Sequence, residues 1–238
     1  MNLVLLFEDD FVADGRAALR GRRLKHVTNV HRAAVGDELA VGVAGGRMGR
    51  GRVLAISSES LELEVALDRD PPPPIGIALV LALPRPIVLN RVIASATSMG
   101  IKRIELINTW RVEKSYWSSP RLAPENLRLQ SILGLEQARD TILPSITLHR
   151  FFRAFAEEAL PELARGSRAL APHPSARTPC PRDVREPVTL AIGPEGGFID
   201  EEIASLERAG FETVSMGERI LRVETAVAWA VSRLRAFP

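Results

Sequence analysis

Four consecutive prolines, Pro71 to Pro74, divide the chain into two parts with different sequence patterns. Proline has no backbone N–H and a fixed φ, so a run of four can join neither a helix nor the interior of a sheet and is typical of a stiff, extended spacer. We therefore predict one domain over residues 1–70 and a second over residues 75–238. The length of 238 residues allows each part a hydrophobic core.

The first part is predicted to be a small β-barrel. It contains short β-like runs at Glu38–Val43 and Ser60–Val65, and the turn signals Val35-Gly36-Asp37 and Gly45-Gly46 separate such runs. Short runs with closely spaced turns are typical of all-β domains.

Basic residues are concentrated in this first part. The segment from Arg16 to Arg52 contains nine Lys or Arg and two acidic residues, a net charge of +7, although the whole chain carries only +2. Such a patch neutralises phosphates and so favours nucleic-acid binding, although a charge run taken alone is more often a solvated face. The residues that we predict to contact RNA are Arg22, Arg23, Lys25, His31 and Arg32.

After the prolines, apolar strands alternate with helices. Ile75–Leu83 and Val188–Ile192 are nearly unbroken apolar runs, as expected for strands buried on both faces of a parallel sheet. This succession predicts an α/β domain with a mostly parallel sheet. The other predicted strands are Ile104–Ile107, Ser145–Leu148, Ala169–Ala171 and Thr213–Ser215, and the predicted helices are Ile87–Met99, Glu125–Ala138, Arg150–Leu163, Glu201–Ala209 and Thr225–Ala236.

The turns after the last three strands are the candidate ligand site, because open α/β sheets bind ligands beyond the carboxyl ends of their strands. Gly193–Phe198 is rich in glycine, which lets a ligand lie on the main chain, and Asp200 is expected to cap the helix that follows. With Ala171–Pro174 and Met216–Ala226, this turn would form a pocket of main-chain groups suited to adenine and ribose. The alternative is that Gly193–Phe198 is only a tight turn between a strand and a helix and binds no ligand.

The turn before the last helix carries charged residues. Arg222 and Glu224 precede a run, Ala226–Val231, that is apolar almost all round and predicts burial in a core or a subunit interface. The two charged residues are candidates for catalysis. Equally, they could pair with each other or cap the helix.

Trp110, Tyr116 and Trp117 lie close together in the sequence beside two cations. Such a group is a known device for stacking unpaired bases of RNA. Tryptophan and tyrosine also anchor protein interfaces, and the sequence does not decide between the two.

Several other classes of protein are disfavoured by the sequence. Leu3–Phe7 runs into three acidic residues, unlike a secretory signal, and no segment approaches the roughly 20 apolar residues of a membrane span. Cys180 is a single cysteine, so no internal disulfide can form. Neither a dinucleotide-binding Gly-x-Gly-x-x-Gly nor a P-loop motif occurs. We expect a cytoplasmic protein.

Two motifs carry a resemblance to one family. Ile192–Phe198 is Ile-Gly-Pro-Glu-Gly-Gly-Phe, and Arg219–Ala226 is Arg-Ile-Leu-Arg-Val-Glu-Thr-Ala. In this order and at this separation they resemble the RsmE-type RNA methyltransferases of the SPOUT class. The likeness extends to His31-Arg32 in the first part, to Leu81–Pro84 at the start of the second, and to Glu136–Arg139, which is similar to a Glu-Gln-x-x-Arg segment of that family.

The resemblance implies a SPOUT-type α/β domain with a trefoil knot and a mostly parallel sheet, preceded by a small PUA-like β-barrel domain. It implies a homodimer that uses S-adenosylmethionine, without a metal, to methylate N3 of a specific uridine in small-subunit (16S) ribosomal RNA, with an assembled or partly assembled subunit as the substrate. Knots are rare exceptions to the usual topology of proteins.

The resemblance also implies roles for individual residues. Arg222, Glu224 and Arg139 are the catalytic candidates. The cofactor-binding candidates are Ala171, Pro172, His173, Ile192, Gly193, Pro194, Glu195, Gly196, Gly197, Met216, Gly217, Arg219, Ile220, Leu221, Arg222, Thr225 and Ala226.

Two other functions remain open at the level of the sequence. One is a non-catalytic RNA-binding or ribosome-assembly protein on the same fold, which is favoured slightly because Ser95 and Ser98 stand where the family usually has a lysine and a glutamate. The other is a SPOUT enzyme that acts on tRNA.

Overall fold

The computed structural model describes residues 2–235. The predicted domain limits at 1 and 238 and the predicted helix end at Ala236 lie outside these residues. The chain forms two compact units: residues up to Pro73 together with Ile132–Leu143, and Pro74–Ser131 together with the residues from Pro144 onward. The sequence indicated a division at the prolines, whereas nothing in its pattern indicated that Ile132–Leu143 packs with the first unit.

The first unit is built on a six-stranded mixed sheet. Its strand order is β1-β4-β5-β6-β3-β2, with β1 parallel to β4 and the other neighbours antiparallel. Ladder pairs between β1 and β2 do not occur among residues 2–235, so the ladder is not closed into a full ring. The elements are β1 (Val4–Leu6), β2 (Phe11–Ala13), β3 (Arg16–Leu19), α1 (Gly21–Asn29), β4 (Glu38–Val43), β5 (Met48–Ile56) and β6 (Leu61–Arg69).

Alternation of apolar and charged side chains directs one face of this sheet to a core. In β6, Leu61 and Leu63 are buried whereas Glu62 and Glu64 are exposed, which is the period of a half-buried strand. Gly49 lets β5 approach β6 closely, because a Cβ at that position would lie 1.9 Å from a backbone carbonyl oxygen of β6. The first unit is thus an ordinary half-buried β-structure.

Ile132–Leu143 completes this unit. Leu135 packs with Leu3 and Leu5 in a small apolar cluster, and the Thr141 hydroxyl donates to the carbonyl oxygen of Gly46 at 2.6 Å. The segment is therefore held by both apolar packing and hydrogen bonds.

The second unit contains a six-stranded sheet in which every neighbouring pair is parallel. The strand order is β12-β10-β11-β7-β8-β9, and β11, in the interior of the sheet, is buried at every residue. The prediction of an α/β domain with a parallel sheet is confirmed. Its strands are β7 (Ile77–Ala82), β8 (Arg103–Ile107), β9 (Ser145–His149), β10 (Arg168–Pro172), β11 (Val188–Ile192) and β12 (Glu212–Val214).

The remaining helices lie close to their predicted positions, with one exception. The predicted helix Arg150–Leu163 begins only at Phe152 and contains a π-helical turn, Phe155–Ala159. Pro161 explains the irregularity, because its ring would clash with a carbonyl one turn earlier and it has no N–H to donate. The helices are α2 (Pro86–Ser98), α3 (Pro124–Ala138), α4 (Phe152–Ala154), α5 (Leu160–Ala164), α6 (Asp200–Arg208) and α7 (Val223–Leu234).

The described helices include none that is long and apolar enough to cross a membrane.

Candidate functional site

Three turns meet at one edge of the parallel sheet. β10 lies between β11 and β12, so the turns that follow these three strands start side by side. They surround a cavity of about 230 Å³. Its lining residues are Pro172, His173, Pro174, Ile192 to Phe198, Met216 to Leu221, Val223 and Ala226.

The glycine-rich turn after β11 folds back on itself. The N–H of Gly197 donates to the Pro194 carbonyl at 2.8 Å, and Gly197 has a φ of +75°, where other residues are strained. A Cβ on Gly193 would lie 3.1 Å from the backbone nitrogen of Phe198. The buried ring of Phe198 anchors the turn in the core. Because glycine has no side chain, the main-chain groups of this turn are accessible from the cavity.

The turn after β12 is more open. Gly217 has a φ of +104°, and no atom lies within 4 Å of the position that a Cβ would take. Its N–H donates to the Ser215 hydroxyl at 3.2 Å. Ile220, which also lines the cavity, is 85% exposed, an unusual exposure for an isoleucine. A flat apolar ligand in the cavity would cover this side chain.

The third turn, which follows β10, is hydrogen-bonded to the end of β12. The N–H of His173 donates to the Val214 carbonyl at 3.0 Å, and one nitrogen of its ring lies 2.7 Å from the Ser175 hydroxyl. Further along, Pro179 forms a β-bridge with Ser215 beside β12, and the backbone N–H of Cys180 donates to the Ser215 carbonyl at 2.9 Å. Burial raises the pKa of the Cys180 thiol above its usual value.

This donor set fits an adenosine-containing ligand. The cavity offers main-chain N–H and carbonyl groups from three turns, small glycines that permit close approach, and apolar side chains such as Ile220, Leu221 and Val223. The residues described contain no group of three His, Cys, Asp or Glu that could hold a metal ion. The chemistry of the lining therefore suits a nucleoside held by the main chain.

Most of the predicted cofactor-binding residues line this cavity. Ala171, Arg222 and Thr225 do not: Ala171 is buried within β10, and Arg222 and Thr225 are exposed residues that alternate with lining residues at the start of α7. Four lining residues were missed by sequence reasoning, although each lies within or beside a predicted turn: Pro174, Phe198, Glu218 and Val223. The assignment of the predicted residues to cofactor binding itself stays a prediction, as does the knot that the resemblance implies for these turns.

A larger groove, of about 1090 Å³, lies elsewhere in the second unit. It is lined by residues of the loop after β8, of the helical segment around the π turn and of α6. Three basic and three acidic side chains line it, so the groove has no net charge. It contains no glycine-rich turn. Of the two, only the smaller cavity has the main-chain lining that the sequence predicted for a ligand site.

Arg222 and Glu224 flank the start of α7 next to the cavity. Arg222 is exposed and its side chain does not cap α7. The Glu224 carboxylate is mostly covered and lies 3.9 Å from the guanidinium of Arg91 on α2. Within residues 2–235, Glu224 therefore forms its ion pair with Arg91 and not with Arg222. Nothing in the sequence pattern singled out Arg91.

Arg139, the third catalytic candidate, belongs to the first unit. It is exposed and has a φ of +56°, in the left-handed region that residues other than glycine rarely adopt. This φ is explained by the end of α3 at Ala138, because the N–H of Asp140 donates to the Leu135 carbonyl at 3.1 Å, the usual closure of a helix by a left-handed residue. The catalytic assignment of Arg139 stays a prediction.

The basic residues of α1 and the following loop differ in their surroundings. Lys25, His31 and Arg32 are exposed. Arg22 is partly exposed and pairs with Glu136 at 2.9 Å. Arg23 is mostly covered: its guanidinium makes a bidentate pair with Asp10 and also donates to the Leu5 carbonyl at 2.8 Å.

Arg23 thus has a structural role that the sequence did not predict. A buried cation needs such partners, and its removal would leave the Asp10 carboxylate buried without a counter-ion. The exposed members of the group, Lys25, His31 and Arg32, are better placed to contact a ligand in solution.

The structure separates the three aromatic residues of the segment 110–117. Trp117 is only 8% exposed and its indole N–H donates to the Asn108 side chain at 2.9 Å, and Tyr116 packs against the core. Trp110, in contrast, is 81% exposed. Of the three, Trp110 is the one with a ring face open to a partner.

Comparison with known proteins agrees with this geometry. A family model described as an RNA methyltransferase domain matches residues 71–235. The ribosomal RNA small subunit methyltransferase E of Treponema pallidum is 32% identical over 97% of this chain and 89% of its own length. The chain belongs to this RNA methyltransferase family. The predictions of the family and of a methyltransferase enzyme are therefore confirmed.

Solved structures show that this methyltransferase shares its fold with known members of the family. A ribosomal RNA small subunit methyltransferase E from Neisseria gonorrhoeae bound to S-adenosylmethionine covers 97% of this chain and 96% of its own, with a TM-score of 0.74 and 21% identity. A putative methyltransferase from Legionella pneumophila in complex with the same cofactor covers 98% and 96%, with a TM-score of 0.73 and 23% identity. The predicted fold class is confirmed by these likenesses.

Proposed function

We propose that this chain transfers a methyl group from S-adenosylmethionine to N3 of a uridine in small-subunit ribosomal RNA. The observation that carries the proposal is the convergence of three turns, one of them rich in glycine, on one cavity of main-chain groups within the methyltransferase domain. The names of the relatives support the RNA substrate, and two related structures contain this cofactor.

The chain's own residues suffice for the proton chemistry of this reaction. When bound, S-adenosylmethionine supplies the methyl group. Loss of the N3 proton would leave negative charge on the uracil ring, and this charge would be neutralised when the methyl carbon bonds to N3 and its bond to the sulfonium sulfur breaks. Arg222 stabilises this charge, while Glu224 accepts the proton or orients Arg222. The Arg91 guanidinium lies 3.9 Å from the Glu224 carboxylate and is placed to hold that side chain beside the cavity. Arg139 is a third candidate for contact with the uracil ring.

Binding of S-adenosylmethionine is the first test. Isothermal titration calorimetry of the purified chain is expected to show one cofactor per chain. Gly217→Ala is expected to weaken this binding roughly tenfold, because Gly217 lines the cavity and an added methyl group would keep the ligand from its main chain. The backbone strain of a side chain at this φ, about 1–2 kcal/mol, lowers the stability of the fold instead.

Gly210→Ala is the matched control. Gly210 has a φ of +95° and equally open surroundings, but it does not line the cavity. The two variants should lose similar stability while only Gly217→Ala loses affinity. A wild-type chain that binds no S-adenosylmethionine would contradict the proposal and favour the alternative of a non-catalytic RNA-binding or assembly protein.

The exposed basic residues of the first unit are proposed to bind RNA phosphates. Changing Lys25 and Arg32 to glutamate is expected to weaken RNA binding and to flatten its dependence on salt, because fewer counterions are released. Arg22 and Arg23 are left unchanged, since their pairs with Glu136 and Asp10 hold the unit together. Binding should be measured by fluorescence anisotropy at several salt concentrations.

The double variant Arg182→Glu with Arg185→Glu is the control. It changes the net charge by the same amount as Lys25→Glu with Arg32→Glu, but at exposed positions of the second unit. Equal losses in both double variants would mean that only net charge matters. Unchanged RNA affinity in Lys25→Glu with Arg32→Glu would remove this surface from the proposal. The alternative that the enzyme acts on tRNA is tested by comparing the affinity of the chain for tRNA with its affinity for small-subunit ribosomal RNA.

A homodimer belongs to the same proposal. The buried face of α7 is covered by the chain itself, so the helix is less apolar on its outer side than its sequence suggested. Ala228 remains exposed, and Trp229 is half-buried with the Arg233 guanidinium 5.3 Å from its ring centre. These two residues form the apolar part of the outer face, which we propose meets a second copy.

A further inference from the structure

The glycine-rich turn of the cofactor cavity is contacted from outside by the loop that follows β8. The guanidinium of Arg111 donates a hydrogen bond to the carbonyl oxygen of Gly196. The aliphatic part of the same side chain lies against this glycine, since a Cβ there would be 2.9 Å from the Cδ of Arg111. Arg111 therefore fixes the orientation of the peptide between Gly196 and Gly197.

A second contact joins the same loop to the start of α6. The Glu202 side chain is 4% exposed, and its two carboxylate oxygens accept hydrogen bonds from the backbone N–H of Trp110, at 2.7 Å, and from that of Ile199, at 3.0 Å. The sequence indicated Asp200 as the cap of this helix, but the helix begins at Asp200 and Glu202 satisfies the N–H of Ile199 instead. Negative charge in the first turn is also favoured by the helix dipole.

The loop that makes these contacts is itself fixed. The N–H of Asn108 donates to the His149 carbonyl at 2.9 Å, and the Asn108 side chain accepts from the Trp117 indole. Arg150 stacks over the Trp117 ring at 5.3 Å. Arg111 and Glu202 thus tie the glycine-rich turn to a part of the fold that has little freedom to move.

We propose that Arg111 and Glu202 are positioning residues for the cofactor. This inference rests on the proposed function and names residues of the same site that neither line the cavity nor belong to its motifs. A turn with three glycines has many accessible backbone conformations, and ordering it on binding would cost entropy. The two contacts supply that order beforehand, so the main-chain groups already face the cavity.

The decisive variants are Glu202→Gln and Arg111→Met. Glutamine keeps the size of Glu202 but replaces one acceptor oxygen by an NH₂ group that faces an N–H, so one of the two hydrogen bonds is lost. Methionine keeps most of the aliphatic stem of Arg111 and removes the donors to Gly196. Arg111→Lys, which retains a charge and a donor, should restore part of the affinity.

The measurements are the Kd of S-adenosylmethionine by calorimetry, the thermal midpoint without cofactor, and kcat and KM with each substrate. We expect each variant to raise the cofactor Kd and KM roughly five- to thirtyfold, the effect of losing one such interaction. The KM for RNA should stay near that of the wild type. Glu201→Gln is the matched control, because Glu201 is the exposed neighbour of Glu202 on the same turn of α6.

The outcomes are separable. A wild-type chain without affinity for S-adenosylmethionine would overturn the proposed function. A wild-type chain that binds, with variants of lowered thermal midpoint but unchanged cofactor Kd, would show a purely structural role and overturn this inference. If Glu202→Gln does not fold, Arg111→Met, at an exposed position, decides the matter alone.

Discussion

Arg222→Ala is expected to lower the single-turnover rate of RNA methylation by roughly a hundredfold or more, the usual effect of removing a group that stabilises developing negative charge. Because the Arg222 side chain is exposed and does not line the cofactor cavity, the affinity for S-adenosylmethionine should change little. Rapid-quench measurement at saturating cofactor and RNA isolates the chemical step from binding.

Glu224→Gln is expected to cause a loss of similar size. The amide preserves the shape of the side chain but can neither accept the proton nor form an ion pair with Arg91, 3.9 Å away. If the two residues act as a unit, the double variant should be little worse than either single one.

Arg182→Ala, a change at an exposed position outside the proposed site, is the control for loss of a cation. Near-normal single-turnover rates in both Arg222→Ala and Glu224→Gln would remove these residues from catalysis and leave Arg139 as the remaining candidate.

Trp229→Glu is expected to convert a dimer into a monomer or to make the chain insoluble. A large aromatic residue at the centre of an interface contributes about 2 kcal/mol or more, and a buried unpaired carboxylate opposes association further. Sedimentation velocity at micromolar concentration gives the oligomeric state. We further propose a shared site, in which the cofactor of one subunit lies near the RNA-binding surface of the other, so any soluble monomer should methylate RNA poorly.

Trp229 also packs against the chain's own core, so its replacement could act through stability. Ala228→Glu avoids this ambiguity, because Ala228 is exposed on the same side of α7 and its replacement leaves the core intact. It should dissociate the dimer while the monomer stays folded by circular dichroism, whereas Ser118→Glu, at an exposed position outside α7, should leave the dimer intact. An active wild-type monomer at micromolar concentration would refute the dimer and the shared site.

The parallel sheet and the glycine-rich turns were predictable because they depend on local sequence. A strand buried on both faces, such as Val188–Ile192, must be apolar throughout, and its bounds were predicted to the residue. The turn after it needs glycine wherever φ is positive or the main chain folds back, as at Gly197 and Gly193. These requirements leave a mark in a single sequence.

The sequence was less informative where a long-range partner decides the outcome. The predicted helix Arg150–Leu163 is interrupted by a π turn before Pro161, an effect that a proline made foreseeable. The burial of Arg23 was not foreseeable, because it depends on Asp10, thirteen residues earlier, meeting it in space. The same holds for Arg91, whose partner Glu224 is remote in the chain.

The sequence by itself determined the α/β class of the second part and the three turns that could hold a cofactor, because periodicity and glycine placement follow from local backbone geometry. The family followed from the resemblance of two motifs. Only the tertiary structure decided which side chains serve those turns. It showed that Trp110 is exposed while Trp117 is buried, and that Arg111 and Glu202 hold the glycine-rich turn from outside. Hydrogen bonds between residues about ninety positions apart have no periodic signature, since they arise only when separate strands and helices are brought together by a common core.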